Sequence, residues 1–297
     1  MSKHLYIDYS HVCYRTLYAV LAEMKKIDNM EILRHVILKN IFHLIEKYSP
    51  TDVYVACDSR KNWRNKFYEG YKSNRKEARE KRDVDWDAFF TLMNNLTTEL
   101  QTHFPFIVVN SDFLEADDII AYLVRKNSNS QCEKIMVTSD GDYVQLLKYE
   151  NTILYDPLKK IEIRKKPYEA EHALQIKILM GDKGDSVPAC EPRLGIKTAE
   201  KLIESGEVAE KMKNELFKTN YERNCKLVDL TRTPRVLIER LEEQLGSYKV
   251  SGCNNIFNYF VEKGLRDLMS RTNDISNMLK NINAAKKELT NTEILFG

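Results

Sequence analysis

Short apolar runs set apart by long amphipathic stretches constrain the fold of this chain more than any other feature. The runs Leu5–Ile7, Val53–Cys57, Phe106–Val109 and Ile135–Thr138 read as strands, with Thr152–Tyr155 as a weaker fifth. Helix-period segments such as Ile32–Tyr48, Trp86–His103 and Ala116–Lys126 stand between them. Parallel neighbours need a crossover of this length, whereas hairpin partners need only a few residues. The spacing predicts an α/β fold, a mostly parallel central sheet flanked by helices on both faces. From Pro167 onward the strand signals fade, and helices are predicted at Tyr168–Met180, Thr198–Glu204 and Pro234–Leu245. This places a domain change near Pro167, with an α/β unit over 1–166 and a helical region over 167–297. The polar stretch after Asp274 is expected to be loosely held.

The run Leu5–Ile7 stops at Asp8, too short for a signal peptide or a membrane span, so the expectation is a cytoplasmic protein with no membrane partner. The six cysteines show no CxxC pair and read as reduced thiols. Neither they nor the histidines have zinc-ligand spacing.

Where the predicted strands end, acids collect. Asp8 closes the first run and Asp58 follows the second; Asp140 and Asp142 come directly after the fourth. The third run is followed by Glu115, Asp117 and Asp118, and a further group, Asp182 and Asp185, stands just past a predicted helix. Each has a plainer explanation: Asp140-Gly141 suits a turn, the acids at 115–118 suit a helix N-terminus, and Asp8 or Asp58 suits a helix cap. Together, however, they converge on the carboxyl edge of a parallel sheet, where such folds bind ligands. Carboxylates gathered there repel one another unless cations neutralise them. Hard divalent ions with oxygen ligands, Mg²⁺ above all, meet that need, and a pair about 4 Å apart suits in-line displacement at a phosphodiester.

The formal net charge is only +2, yet it is unevenly spread. Between Arg60 and Arg82 ten basic residues face three acids, leaving the rest of the chain net acidic. Trp63, Phe67, Tyr68 and Tyr71 interleave with the charge. A solvated helix face would explain a charge run by itself. Beside an acidic site, a polyanion partner explains it better, and Arg64, Arg75 and Lys76 are expected against nucleic acid. Lys72 and Arg79, seven residues apart, are expected to project from one helix face toward a scissile phosphate.

Seven motifs in order then resemble the flap-endonuclease/5′→3′ exonuclease family: Leu5 to Asp8, Cys57-Asp58, Trp63-Arg64, Tyr71-Lys72 with Arg75, Glu115 to Asp118, Thr138 to Tyr143, and Gly181 to Asp185. The resemblance runs from about Leu5 to about Leu202. It implies a PIN-like 5′-nuclease core with a basic helical arch over about 60–85, then a duplex-DNA-binding helical region containing a helix–three-turn–helix. It implies a structure-specific 5′ nuclease with 5′→3′ exonuclease, flap endonuclease and RNase H activity in DNA replication. The partner would be branched or RNA-primed DNA with a free 5′ end, bound by a monomer. Two Mg²⁺ ions are implied, replaceable by Mn²⁺. Asp8, Asp58, Glu115, Asp117 and Asp140 would surround the first, and Asp142, Asp182 and Asp185 would hold the second. Lys72 and Arg79 match a basic pair on the arch; Tyr14 and Arg15 match positions near the reacting nucleotide.

The three-turn element keeps Pro192, Gly195, Lys197 and Thr198, but Cys190 and Arg193 replace two family glycines and Ile196 a proline. Arg193, Gly195, Lys197 and Thr198 would meet a duplex phosphate, with K⁺ at the turn. Outside the family motifs, the last residues Ile294, Leu295 and Phe296 are similar to the tail by which a phage DNA polymerase docks on its sliding clamp, which implies a clamp partner.

Three rivals stand beside this reading. A PIN-type ribonuclease shares the sheet and several acids but needs neither the arch nor the Gly181–Asp185 motif. A haloacid-dehalogenase-like phosphatase needs Asp-x-Asp after the first strand, where this chain has Asp8-Tyr9-Ser10. A non-catalytic DNA-junction binder has no use for so many acids facing a polyanion.

Overall fold

The computed structural model describes residues 2–27, 29–129, 131–252 and 255–282, with the side chains of Lys76 and Ala78 outside the described set. Six strands form one sheet: β1 (Lys3–Asp8), β2 (Asp52–Cys57), β3 (Ile107–Asn110), β4 (Glu133–Val137), β5 (Thr152–Asp156) and β6 (Ile161–Ile163). Their order is β3-β2-β1-β4-β5-β6. β1 through β5 pair in parallel and β6 returns antiparallel on β5. All five expected strands are present. β6 was not foreseen: three residues with Glu162 at the centre and little burial carry no periodic signal.

Alternation along the strands builds two cores. Leu5, Ile7, Val53, Val55, Ile135, Val137 and Ile153 enter one core. Their neighbours Tyr6, Tyr54, Ala56, Met136 and Leu154 enter the other. The first core is covered by α1 (Tyr9–Met24), α2 (Glu31–Tyr48) and, beyond the short helices α3 (Trp63–Phe67) and α4 (Asn74–Glu80), by α5 (Trp86–His103). The second is covered by α6 (Ala116–Lys126) and the 3-10 helix Gly141–Lys148.

The later helices are α7 (Pro167–Met180), α8 (Ile196–Glu204), α9 (Val208–Lys211), α10 (Glu215–Val228), α11 (Arg235–Gly246), α12 (Ile256–Glu262), α13 (Arg266–Ser270) and α14 (Thr272–Lys280). α11 completes the second core through Leu237, Ile238 and Leu241. α12 to α14 extend the first through Ile256, Leu268, Ile275 and Leu279. The expectation of a loosely held chain after Asp274 therefore fails as far as Ile282, which is itself buried. The apolar spacing 275, 279, 282 marks one helix face amid polar neighbours. α7, α8 and the Phe217 turn of α10 enclose a small core of their own. No helix among the described residues is long and apolar enough to cross a membrane. Cys13, Cys57, Cys132, Cys190 and Cys225 are free thiols, and Cys253 lies outside the described residues.

Candidate metal and nucleic-acid site

The carboxyl ends of β1, β2 and β4 meet at one edge, in register: Asp8 pairs with Ala56, and Ile7 with Val137. Asp8 caps α1, accepting from the His11 amide at 3.0 Å and from the Tyr143 hydroxyl at 3.0 Å. Burial, then Asp58 and Asp140, push its carboxyl up to about 7. Asp58 is exposed and accepts from the Ala116 amide at 2.8 Å, tying the end of β2 to the start of α6. Asp140 caps the 3-10 helix through the Asp142 amide at 2.9 Å. The plain capping and turn roles are thus real, and they are also what fixes these side chains at the edge.

Among the described residues, two carboxylate groups come together tightly enough to share an ion. Glu115, Asp117 and Asp118 offer oxygens within 4.8 Å of one another, and so do Asp142, Asp182 and Asp185. The second trio is the set expected for the second metal. The first includes Asp118, which was not expected, while Asp8, Asp58 and Asp140 lie outside both groups.

Asp118 is already engaged. It is 1% exposed and receives Arg64 Nη1 at 2.8 Å, Arg64 Nη2 at 2.9 Å, Trp63 Nε1 at 3.1 Å and Thr233 Oγ1 at 2.7 Å. Arg64 also donates to Glu115 Oε2 at 2.8 Å and to the Leu227 carbonyl at 2.9 Å. The placement of Arg64 against nucleic acid is therefore corrected: it is 0% exposed, and its guanidinium is spent inside, joining α3, α6 and α10.

Lys72 stands between the two groups, against Glu115 Oε1 and 3.7 Å from Asp185. Burial favours a neutral Glu115, but Lys72 and then Arg64 outweigh it and hold the carboxyl at about 2. Asp117 goes the other way, raised by burial and by Glu115 and Asp118 against the pull of Arg64. Lys72 is not helical. It sits at φ 56° in the turn before α4, its amide donating to the Asp185 carbonyl at 2.8 Å. The shared helix face predicted for Lys72 and Arg79 does not exist. Arg79 packs 5.8 Å from the Phe90 ring centre and donates to the Arg75 carbonyl. Arg75, expected against nucleic acid, donates here to Asp185 Oδ1 at 2.7 Å.

Lys177 of α7 was not foreseen from the sequence. Its ammonium contacts Asp142 and lies 2.8 Å from Asp182 Oδ2. Its signal was its position five residues before Asp182, near enough on a helix end to reach the loop. The loop folds back because Gly181 adopts φ 67°; a Cβ there would stand 2.3 Å from the Val187 carbonyl oxygen. Asp182 and Val187 exchange backbone hydrogen bonds at 2.8 and 2.7 Å, and Asp182 Oδ1 accepts from the Gly184 amide at 2.8 Å. His11 was also missed; its Nε2 accepts from the Ser139 amide at 3.0 Å, while Tyr71, already singled out beside Lys72, donates to Glu115 at 3.0 Å.

Tyr14 joins an aromatic group with Tyr18, Trp86 and Phe89 between α1 and α5. Arg15, one residue on, donates to the Pro157 carbonyl at 2.8 Å. Arg193, Gly195, Lys197 and Thr198 are exposed around the N-terminus of α8, with Leu194 and Ala199 anchoring the turn in the core beneath. The first amides of α8 lack intrahelical partners, as at every helix start. Ile294, Leu295 and Phe296 lie outside the described residues, as does the side chain of Lys76.

The profile described as "5'-3' exonuclease, N-terminal resolvase-like domain" matches residues 3–179. Ribonuclease H of Enterobacteria phage T4 is 31% identical over 288 residues, covering 90% of this chain and 94% of that protein. A 5'-3' exonuclease of Aquifex aeolicus is 30% identical over 233 residues, covering 74% of this chain and 76% of its own. Among solved structures, the bacteriophage T5 flap endonuclease, in a pseudo-enzyme-product complex with DNA and metal ions, superposes with a TM-score of 0.63 at 19% identity, over 94% of this chain and 99% of that one. At that identity the superposition speaks for the fold. The profile match and the phage T4 relative go further: this chain belongs to the 5′-3′ exonuclease family.

Proposed function

We infer that this 5′ nuclease hydrolyses phosphodiesters near the free 5′ end of RNA primers and DNA flaps during replication, using two Mg²⁺ ions. One observation carries the reading: two oxygen-only carboxylate groups at the carboxyl edge of the sheet, with Lys72 reaching into both. The donor set fits hard divalent ions and offers no sulfur or imidazole to a softer one. Glu115 and Asp117, with Asp8, Asp58 and Asp140 around them, would hold one ion; Asp142, Asp182 and Asp185 would hold the other. Asp118 would serve the site indirectly, by fixing Arg64 and through it Glu115. When bound, the ions supply an activated water and neutralise charge on the scissile phosphate.

The protein's own part is positioning and charge. Lys72 and Arg75 converge on Asp185 from the arch side, and a phosphate entering there exchanges a carboxylate partner for a phosphate oxygen. Lys177 bridges Asp142 and Asp182 and keeps their charges together until cations arrive. The α8 N-terminus, with Arg193, Lys197 and Thr198, would take duplex phosphates away from the cut. K⁺ at that turn and a sliding clamp at Ile294–Phe296 belong to the same reading and rest on resemblance alone.

The test is a 5′-labelled, RNA-primed flap incubated with Mg²⁺, with EDTA, and with Asp140→Asn. Short 5′ products that need Mg²⁺ and vanish in the variant support the reading. Binding without cleavage under every metal condition would establish a junction binder instead.

A further inference from the structure

The turn between β5 and β6 rises at the same sheet edge as Asp8, beyond β4 and on the other side of β1 from β2. It carries Leu158, Lys159 and Lys160, all exposed. Beneath it lies a cavity of about 200 Å³ with Val137 and Tyr155 as its apolar floor and Arg15, Asn40, His43 and Lys160 on its walls. Neither Arg15 nor Lys160 has a carboxylate within ion-pair distance among the described residues, although two acids stand close by. Asp156 is taken by the Ser139 hydroxyl, the Leu158 and Lys159 amides at 2.9 and 3.2 Å, and Lys159 Nζ at 3.6 Å. Glu162 is taken by the Tyr48 hydroxyl at 2.9 Å, Arg164 at 3.5 Å and Lys47 at 3.8 Å. Arg15 commits one nitrogen to the Pro157 carbonyl at 2.8 Å, which holds the guanidinium against the turn. Lys47 adds positive charge, its ammonium 4.0 Å from the centre of the Tyr155 ring.

A pocket whose nearby acids are spent and whose wall cations pair with no carboxylate is built for an anion. Its position narrows the choice. Arg15 is seven residues beyond Asp8 on α1, about 10 Å along the helix, so an anion here lies within reach of a strand whose scissile bond sits at the acids. We propose that the pocket between α1, α2 and the β5–β6 turn binds a single phosphate group of the substrate strand. The proposal rests on the nuclease reading above. A terminal 5′-phosphate and an internal phosphodiester share the chemistry, and paired substrates separate them.

The experiment measures affinity for flap DNA carrying either a 5′-phosphate or a 5′-hydroxyl, with EDTA to prevent cleavage, across a salt series. Lys160→Glu should weaken binding roughly tenfold and lower the salt slope by about one. Lys160→Ala, which adds no acid, should act in the same direction and serves if the first variant does not fold. Lys280→Glu on α14 controls for charge alone and should bind as the wild type. A loss confined to the 5′-phosphate substrate identifies a terminal occupant, and an equal loss on both identifies an internal one. Unchanged affinity and slope in both Lys160 variants overturn the pocket. Mg²⁺-dependent cleavage by the wild type is recorded in parallel, so that failure of the nuclease reading shows independently of the pocket.

Discussion

The ammonium of Lys72 lies against Glu115 and 3.7 Å from Asp185, so a single side chain joins the two carboxylate groups that line the sheet edge. Its left-handed turn and the hydrogen bond its amide donates to the Asp185 carbonyl place it there. Lys72→Ala should lower the single-turnover cleavage rate roughly a hundredfold to a thousandfold, the loss expected when one fixed donor to a developing charge is removed. A rate within a factor of three of wild type would show that Lys72 is only a counterion for the acids.

Arg75 and Arg79 separate by the same geometry. Arg75 reaches Asp185, whereas Arg79 packs on Phe90. Arg75→Ala should cost roughly ten- to a hundredfold in cleavage, the equivalent of one charge-assisted hydrogen bond, and Arg79→Ala clearly less. Cleavage rates of the two variants side by side decide it, and a larger loss at Arg79 would contradict the placement.

Arg64 is a matter of stability. Removing it leaves Asp118 buried without its bidentate partner, at a cost of about 3–5 kcal/mol. Arg64→Met should show this as a lowered midpoint in denaturant. Arg64→Lys should not restore it, because a point charge cannot supply a forked set of donors. Wild-type stability with a reduced salt slope for DNA binding would return Arg64 to the surface role.

How the sequence presented these residues explains which were legible. The acids at the strand ends were, because parallel strands expose their carboxyl ends at one edge whatever the side chains beyond them. Asp142, Asp182 and Asp185 meet as expected because the Gly181 turn is a local feature. Arg64 was not legible. It is one of ten cations in a run, and its burial depends on Asp118, 54 residues away, and on the Leu227 carbonyl, 163 residues away. The pairing of Lys72 with Arg79 assumed a continuous helix, but a single non-glycine residue at φ 56° ends that assumption, and pattern does not announce it. The C-terminal packing was present in the spacing of Ile275, Leu279 and Ile282 and was overridden by the polarity between them.

The edge carboxylates also set a pH dependence in the metal-free protein. Burial and its acidic neighbours raise Asp8 from an ordinary 3.8 to about 7, so the folded state holds a proton that the unfolded chain releases near 4. That contribution is present below pH 4 and is lost as pH rises toward 7. Asp117 is raised and acts in the same direction. Glu115, held at about 2, has the opposite sense, but its contribution is constant above its ordinary 4.5 and fades only as pH falls toward 2. With EDTA, stability should therefore decline between pH 4.5 and 7, and Asp8→Asn should flatten that decline. A denaturation series showing the same slope in both proteins would remove Asp8 from the account.

Gly181→Ala tests the loop without touching a charge. The added methyl would meet the Val187 carbonyl oxygen at 2.3 Å in a backbone conformation that disfavours any side chain. Cleavage should fall with Mg²⁺ affinity, because Asp182 and Asp185 lose their places. Unaltered Mg²⁺ dependence would mean that the loop has another way to close.

Each carboxylate group is expected to hold its own divalent ion. Calorimetric titration of Mn²⁺ into wild type, Asp182→Asn and Glu115→Gln measures this directly. Two sites in the wild type, with a different one lost or weakened in each variant, are the predicted result. A single site in the wild type, or a stoichiometry indifferent to Asp182, would contradict the two-ion arrangement.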